Sequence, residues 1–199
     1  KYNGGVAKAD LNNENLEALE KGLPNLLQHV GNIKNVYGLP CVVAINAFPT
    51  DTKAELDLVE AKCKELGVNV ALSEVWAKGG EGGVKLAEEV LRLVEEPSEF
   101  HFSYGLEGSI EDKLNAIVKK IYHGNGVVLT ANAQKQAAQL TAMGYGNLPI
   151  CVAKTQYSLT DDQTKLGAPS DFEITVRNLK ISAGAGFIVC LTGDIMTMP

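Results

Sequence analysis

Apolar positions recur along the chain at two different spacings, and the spacing separates strands from helices. Cys41 to Asn46 form a continuous apolar run after Pro40, which is typical of a strand buried on both faces. Residues 172–181 alternate between apolar and polar, with a change of phase between Val176 and Leu179 that predicts a strand containing a β-bulge. Further short apolar runs, each predicting a strand, occupy residues 68–72, 126–130, 150–153 and 186–192.

Helical periodicity fills the intervals between these runs. The leucines from Leu16 to Val30 have helical spacing but Pro24 interrupts them, so we predict two short helices with Pro24 near the start of the second. Capping motifs that begin at Thr52 and at Ser109 predict the starts of two further helices. A helix that ends before Pro97 carries an apolar stripe made of Ala87, Val90, Leu91 and Val94.

The order of these elements predicts the fold class. Strands and helices alternate up to about residue 130, which indicates an α/β fold with a mainly parallel sheet and flanking helices. We expect the strands at 41–46, 68–72 and 126–130 to share that sheet. The pattern changes after Ala131, and residues 131–199 are predicted to form a smaller α+β unit. We therefore place a domain boundary near residue 130.

Composition narrows the classes of function. The 199 residues are 45% hydrophobic and 21% charged, with a formal net charge of −6, so the chain can bury a normal core but offers no basic face for nucleic acid. No apolar run approaches the roughly 18 residues that a membrane-spanning helix needs.

The four cysteines are far apart in sequence and form no C-x-x-C pair, so we predict no metal site. Three of them, Cys41, Cys151 and Cys190, lie in apolar runs and are predicted to be buried free thiols. Free thiols fit a reducing compartment, and we expect a cytoplasmic protein.

Candidate chemistry lies in the segments that follow two of the predicted strands. In open parallel sheets, ligands bind beyond the carboxyl ends of the strands. Residues 47–52 contain Phe48 and residues 73–80 contain Trp76, so neighbouring strands would bring two aromatic rings to one cleft. A flat heterocycle could stack there, and stacking of a base on an aromatic ring is worth roughly 1–3 kcal/mol. Two structural alternatives stay open: Phe48 can plug the end of the sheet, and Trp76 can be a structural anchor.

The glycine-rich segment Gly79 to Gly83 does not match a phosphate-binding loop. The pattern G-x-x-x-x-G-K-[ST] occurs nowhere in the chain, and Glu81 within the segment would repel phosphate. We interpret these glycines as a flexible loop that lets Trp76 and Lys78 adjust around a ligand. Because no Ser-His-Asp or Cys-His arrangement stands out, no catalytic residue is nominated.

Several longer segments carry a resemblance to a known family. They are residues 44–52 (AINAFPTDT), 76–82 (WAKGGEG), 168–172 (APSDF), Arg177 and 191–199 (LTGDIMTMP). Together, and in this order, they resemble the formate–tetrahydrofolate ligases over the whole length of the chain.

The resemblance implies an ATP-dependent ligase of one-carbon metabolism. In that family ATP phosphorylates formate to formyl phosphate, and the formyl group passes to N10 of tetrahydrofolate; ATP acts with Mg²⁺ and a monovalent cation. The family's pterin site is an aromatic clamp, which falls here on Phe48 and Trp76, with Pro49 and Leu72 lining the pocket. Lys53 and Lys78 are the local candidates to offset the negative charge of the folate tail.

The resemblance also implies that the chain is a fragment. The family's phosphate-binding loop and formyl phosphate site would lie before residue 1, so the chain alone is expected to be inactive and to need the remainder of its parent chain. Residues 1–130 would be the folate-binding domain, with residues 1–35 either part of it or the end of a preceding ATP-binding domain. The parent is expected to form homo-oligomers. The alternative of a different class is a non-catalytic α/β module for interaction or oligomerisation.

Overall fold

The computed structural model describes residues 1–193 and Ile195. The chain divides into two compact units, Lys1–His101 and Phe102–Pro199. In chain order the helices are α1 (Leu16–Gly31), α2 (Lys53–Glu65), α3 (Val75–Lys78), α4 (Val84–Val94), α5 (Ile110–Ile117) and α6 (Ala131–Ala142). The strands are β1 (Val42–Asn46), β2 (Asn69–Ser73), β3 (Gly126–Leu129), β4 (Ile150–Ala153), β5 (Glu173–Ser182) and β6 (Phe187–Thr192).

The first unit is built on a parallel pair of strands. β1 and β2 form a two-stranded sheet whose register runs from Val42 opposite Asn69 to Asn46 opposite Ser73. Helices α1 and α2 supply half of the residues of its small core, and α4 packs against both strands. The buried cluster consists of Val30, Val43, Cys63 and Val68. Because parallel neighbours end at the same edge, the segments after β1 and β2 emerge side by side.

Helix α1 is continuous, and the prediction of two short helices is wrong. Pro24 lies inside it, where proline removes a backbone hydrogen bond and typically costs about 3 kcal/mol or more. Leu23 and Val30, both buried on the same side of α1, favour the unbroken helix because a break would remove one of them from the core. At its start the side chain of Asn15 accepts a hydrogen bond from the Ala18 N–H at 2.9 Å.

Helix α4 does not bury the apolar stripe that its sequence shows. Leu86, Glu89 and Leu93 are the half-buried positions of the helix. The stripe of Ala87, Val90, Leu91 and Val94 is exposed. α4 is therefore apolar on two sides, and only one side is used by the first unit.

The second unit contains a mixed four-stranded sheet with the order β3-β5-β6-β4. β5 and β6 form an antiparallel hairpin, and each pairs in parallel with one outer strand, β5 with β3 and β6 with β4. The predicted bulge is confirmed, since Val176 lies opposite Thr192 while Asn178 lies opposite Leu191. The predicted cap of α5 is also confirmed, because Ser109 and Asp112 form a reciprocal capping box. α5 and α6 pack on the sheet and close its core.

The α/β class with flanking helices is confirmed, but the expectation of one shared sheet is wrong. β3 belongs to the second sheet, where its partner β5 lies 47 positions later in sequence, as in the pairing of Gly126 with Glu173. Apolar periodicity identifies a buried strand without identifying its neighbour, which explains the error. The chain passes from one unit to the next between His101 and Phe102. The functional division into a folate-binding domain at 1–130 and a second domain at 131–199 stays a prediction.

Two further findings concern cysteines and membranes. Cys63 and Cys190 are buried and Cys41 is partly buried, but Cys151 is exposed on the edge strand β4, so the prediction of burial is wrong for Cys151. All four thiols are free. None of the helices described here is long and apolar enough to cross a bilayer.

Candidate functional site

Phe48 and Trp76 lie together at the carboxyl edge of the first sheet. Phe48 follows β1, and Trp76 lies in α3 directly after β2. Their ring centroids are 6.2 Å apart, with an angle of 54° between the ring planes. The parallel pairing of β1 and β2 therefore brings the two aromatic side chains into contact, as the positions of the two strand ends in the sequence suggested.

The two rings touch each other and do not form an open slot. Carbon atoms in van der Waals contact are about 3.5–4 Å apart, so a flat ligand between two parallel rings needs them at least roughly 7 Å apart. The observed pair is closer and tilted. A ligand can stack on one of the exposed rings without any rearrangement. Stacking between the two rings would require them to separate and become parallel. Trp76 is 65% exposed and Phe48 44% exposed, so both residues are accessible to a ligand.

A cavity of about 630 Å³ opens beside this aromatic pair. That volume lies within the ~300–1,000 Å³ that is usual for small-molecule sites. Its lining residues are Lys1, Tyr2, Leu11, Asn12, Phe48, Pro49, Thr50, Asp51 and Trp76. Of the four predicted pocket residues, Leu72 does not line it, because it lies within β2 opposite Ile45. The contribution of residues 1–12 was not predicted, since no motif marks that segment.

A tight turn holds Phe48 in place. The Asp51 N–H donates to the Phe48 carbonyl at 2.9 Å, and the Asp51 carboxylate accepts from the Phe48 N–H, also at 2.9 Å. Pro49 occupies the second position of this turn, where its fixed φ is favourable. One residue earlier, the Ala47 N–H donates to the Ser73 carbonyl and ties the turn to the end of β2. The aromatic ring is thus presented by a constrained backbone.

Trp76 is held by the glycine-rich segment that follows it. Gly79–Gly83, predicted as a loop, forms a short 3-10 helix, and its flexibility stays a prediction. The Glu74 N–H donates to the Gly82 carbonyl at 3.0 Å. A Cβ atom on Gly82 would lie 2.4 Å from the Glu74 carbonyl group, so only glycine fits there without a shift of the backbone that carries Trp76.

Lys1, the lysine that lines the cavity, is paired with Glu55. The Glu55 carboxylate binds the Lys1 Nζ at 2.9 Å and accepts from the Asn15 N–H at 2.9 Å. Burial raises the pKa of Glu55, but these hydrogen bonds outweigh it and the net pKa is lowered. Lys53 and Lys78 were suggested for the folate tail. Each forms an exposed ion pair with a carboxylate four residues away, Lys53 with Asp57 and Lys78 with Glu74.

The other family-like segments lie in the second unit. Arg177, at the bulge of β5, lines a cavity of about 440 Å³ together with Thr155, Asp161 and neighbouring polar residues. In the APSDF segment, Asp171 has a positive φ of 57° and accepts a hydrogen bond from the Asn125 side-chain amide at 2.9 Å. In the C-terminal segment, Asp194 and residues 196–199 lie outside the described residues.

The chemistry available at the aromatic cavity is that of binding. It offers two exposed aromatic residues, the amide of Asn12, the hydroxyls of Tyr2 and Thr50, and the carboxylate of Asp51. Over residues 1–193 and Ile195, no three His, Cys, Asp or Glu side chains are grouped so that they could hold a metal ion. The arrangement can hold and orient a flat, polar-edged molecule.

Comparison with known families agrees with the segments identified in the sequence. The family model described as formate–tetrahydrofolate ligase matches residues 1–199, which is the full length of the chain. The match includes β1, β2 and the loops that carry the aromatic pair. The chain belongs to the formate–tetrahydrofolate ligase family.

Proposed function

We propose that this chain supplies the tetrahydrofolate-binding side of a formate–tetrahydrofolate ligase active site, with the pterin ring stacked on Phe48 and Trp76. The observation that supports this most directly is the contact between those two rings, at 6.2 Å between centroids, at the mouth of a cavity at the carboxyl edge of a parallel sheet. Pro49 lines the same cavity. Leu72 does not line this cavity and stays a predicted pocket residue.

The residues around the cavity suggest how a pterin would be oriented. Its faces would stack on the rings, and its polar edge would be met by the amide of Asn12 and the hydroxyl of Thr50. The turn closed by Asp51 fixes the backbone that carries Phe48, so this backbone needs little ordering when the ligand binds, even where the rings must separate. The role of this side of the site is to fix the ring while its N10 atom receives the formyl group.

The activation of formate is assigned to other parts of the parent protein. The family reaction uses ATP to form formyl phosphate, and we propose that Mg²⁺ and a monovalent cation assist it there. The residues of this chain do not fit a nucleotide site, because the phosphate-loop motif is missing and Glu81 stands in the glycine-rich turn. No step through ATP or a cation is therefore assigned to this chain. The parent is proposed to be a cytoplasmic homo-oligomer that uses formate and tetrahydrofolate.

One observation favours a second function, namely an interaction or oligomerisation module. α4 exposes Val90, Leu91 and Val94 on a side that the first unit does not use. Exposed apolar patches often mark contacts with other proteins. This role is compatible with folate binding, because the α4 residues do not line the aromatic cavity.

Binding of tetrahydrofolate can be measured with the intrinsic fluorescence of Trp76, the only tryptophan. We expect saturable quenching after correction for absorbance by the folate. Phe48→Ala should weaken binding by roughly 1–3 kcal/mol, or about tenfold to a hundredfold in Kd, because one stacking partner is lost. The matched control is Phe100→Ala, since Phe100 is also exposed but stacks on Tyr37 outside the cavity.

Three outcomes would count against the proposal. Absence of saturable quenching in the parent chain would remove the folate site. Unfolding of Phe48→Ala would show that Phe48 is a structural plug. Equal affinity in Phe48→Ala and the parent would show that the clamp is assigned to the wrong residues, even though the family is correct.

A separate assay tests the assignment of formate activation to the rest of the parent. The purified 199-residue chain should show no formate-dependent cleavage of ATP, because it has no phosphate loop. The measurement is release of inorganic phosphate with and without formate. Formate-dependent release above the level of a blank would contradict the assignment.

A further inference from the structure

A buried ion pair fixes the beginning of the chain to the start of α2. The Lys1 Nζ lies 2.9 Å from one oxygen of Glu55 and 3.0 Å from the other. The two side chains are only 10% and 5% exposed, which separates this pair from the exposed pairs elsewhere in the first unit. The same carboxylate accepts the Asn15 N–H, so it links residue 1, residue 15 and α2 at a single point.

The position of Glu55 on its helix favours a carboxylate. Glu55 is the third residue of α2, and Thr52 caps that helix by accepting the Glu55 N–H at 3.3 Å. Negative charge is favourable in the first turn of a helix. In a simple capping box the glutamate would turn back only to the cap residue. Here its side chain accepts a backbone hydrogen bond from Thr52 and is also bound to the segment that precedes α1.

That segment forms a wall of the aromatic cavity. Tyr2, Leu11 and Asn12 line the cavity together with Phe48 and Trp76. The segment is closely packed at its other side as well, since a Cβ atom on Gly4 would fall 1.8 Å from the Ala18 carbonyl oxygen of α1. Its remaining structure consists of short 3-10 turns, which have few internal hydrogen bonds to keep them in place.

We propose that Glu55 is a positioning residue for the pterin pocket: its carboxylate, through Lys1 and Asn15, holds residues 1–12 against the Phe48–Trp76 pair. The identity of the ligand in this statement rests on the proposed function. Glu55 does not line the cavity and acts only through the wall that it anchors. Loss of its charge would leave Lys1 without its buried partner, and the wall would then separate from the rings.

The simpler role for Glu55 is stabilisation of α2 alone, and the two roles predict different local signals. If Glu55 only stabilises α2, its replacement lowers the free energy of unfolding but leaves the surroundings of Trp76 unchanged in the folded state. If it holds the wall, the folded variant also exposes Trp76 further. Acrylamide quenching of Trp76 fluorescence reports that exposure directly, because the chain has a single indole.

The test compares Glu55→Gln with Glu60→Gln in the 199-residue chain. Glu60 is on the same helix, but its pair with Lys64 is exposed, so the control removes an equal charge without a buried link. We expect Glu55→Gln to accelerate amide exchange in residues 1–15 and to increase acrylamide quenching of Trp76. We expect its Kd for tetrahydrofolate to rise by roughly tenfold, a size typical of coupling through directly interacting groups. Glu60→Gln should match the parent in all three measurements.

Several results would overturn the proposal. Unchanged exchange in residues 1–15 would show that Glu55 does not hold the wall. A loosened wall with unchanged affinity for tetrahydrofolate would show that the wall does not serve the pocket. If Glu55→Gln does not fold, Lys1→Met breaks the same pair from the other side and is judged by the same criteria. If the parent chain does not bind tetrahydrofolate, the proposed function fails, and exchange and quenching alone decide whether Glu55 holds the wall.

Discussion

The two compact units are of similar length but bury their apolar side chains differently. The second unit gathers eleven buried residues into one cluster between its sheet and its helices. The cluster of the first unit contains four. Several large apolar residues of the first unit are at its surface instead, among them Phe48, Trp76 and Leu91. The second unit also exposes some large apolar residues, such as Phe102 and Met143, so the difference is one of degree. The side chains that the first unit leaves exposed are available for a ligand or a partner.

The largest expected difference between the units comes from replacing one leucine by alanine in each of them. Leu114 of α5 is 1% exposed and Leu91 of α4 is 65% exposed. Leu114→Ala should lower the free energy of unfolding by about 2–5 kcal/mol, because it removes buried methyl groups and leaves a cavity. Leu91→Ala should change it by less than about 0.5 kcal/mol. Urea unfolding followed by circular dichroism measures both values.

A large loss of stability in Leu91→Ala would mean that the exposed stripe of α4 is already covered by another part of the protein in solution. The difference between the units would then be one of partners and not of core size. If Leu114→Ala lowered the free energy of unfolding only slightly, the core of the second unit would not be the more tightly packed of the two.

The packing that holds Trp76 gives an intermediate effect. Gly82→Ala should destabilise the first unit by about 1–3 kcal/mol, because the added Cβ must displace the Glu74 carbonyl or the turn behind it. The emission maximum of Trp76 should shift at the same time. Gly80→Ala is the matched control, since a Cβ there meets nothing within 4 Å. If the two variants have the same stability and emission, the close approach of Gly82 to Glu74 does not hold Trp76.

The smallest effect on stability is expected from alkylation of the exposed thiol. Cys151 is exposed on β4, whereas Cys190 is buried on the neighbouring β6 and burial raises its pKa to about 12. Iodoacetamide at neutral pH should therefore modify Cys151 and leave Cys190 unmodified until urea unfolds the second unit. Peptide mass spectrometry distinguishes the two sites. Rapid modification of Cys190 under native conditions would show that the large core opens far more easily than its packing indicates.

The features that could be predicted from the sequence are those with local causes. The bulge in β5 follows from a phase change between Val176 and Leu179, and the α5 cap follows from two side chains three residues apart. The strand positions were also predictable, because each apolar run reports its own burial. The contact between Phe48 and Trp76 could be anticipated for the same reason, since it needs only that β1 and β2 be neighbours.

The features that could not be predicted depend on long-range packing. Nothing near residue 126 states that β3 pairs with β5 and not with β1. Helix α1 is unbroken because the burial of Leu23 outweighs the free-energy cost of Pro24 inside the helix. The wall at residues 1–12 has no apolar period or motif and is fixed by Glu55, which is 54 positions away from Lys1.

The pairing of strand β5 with one distant and one adjacent strand affects how fast the second unit can fold. Its hairpin with β6 closes through the short turn after Ser182, but its other neighbour β3 begins at Gly126, 47 positions earlier than Glu173. β4 likewise precedes its partner β6 in the sequence, because Ile150 pairs with Ile188. Both outer strands are thus made before the strands that pair with them. Since sheets that rely on distant pairings fold slowly, the hairpin of β5 and β6 is expected to form first and to act as the template on which β3 and β4 assemble.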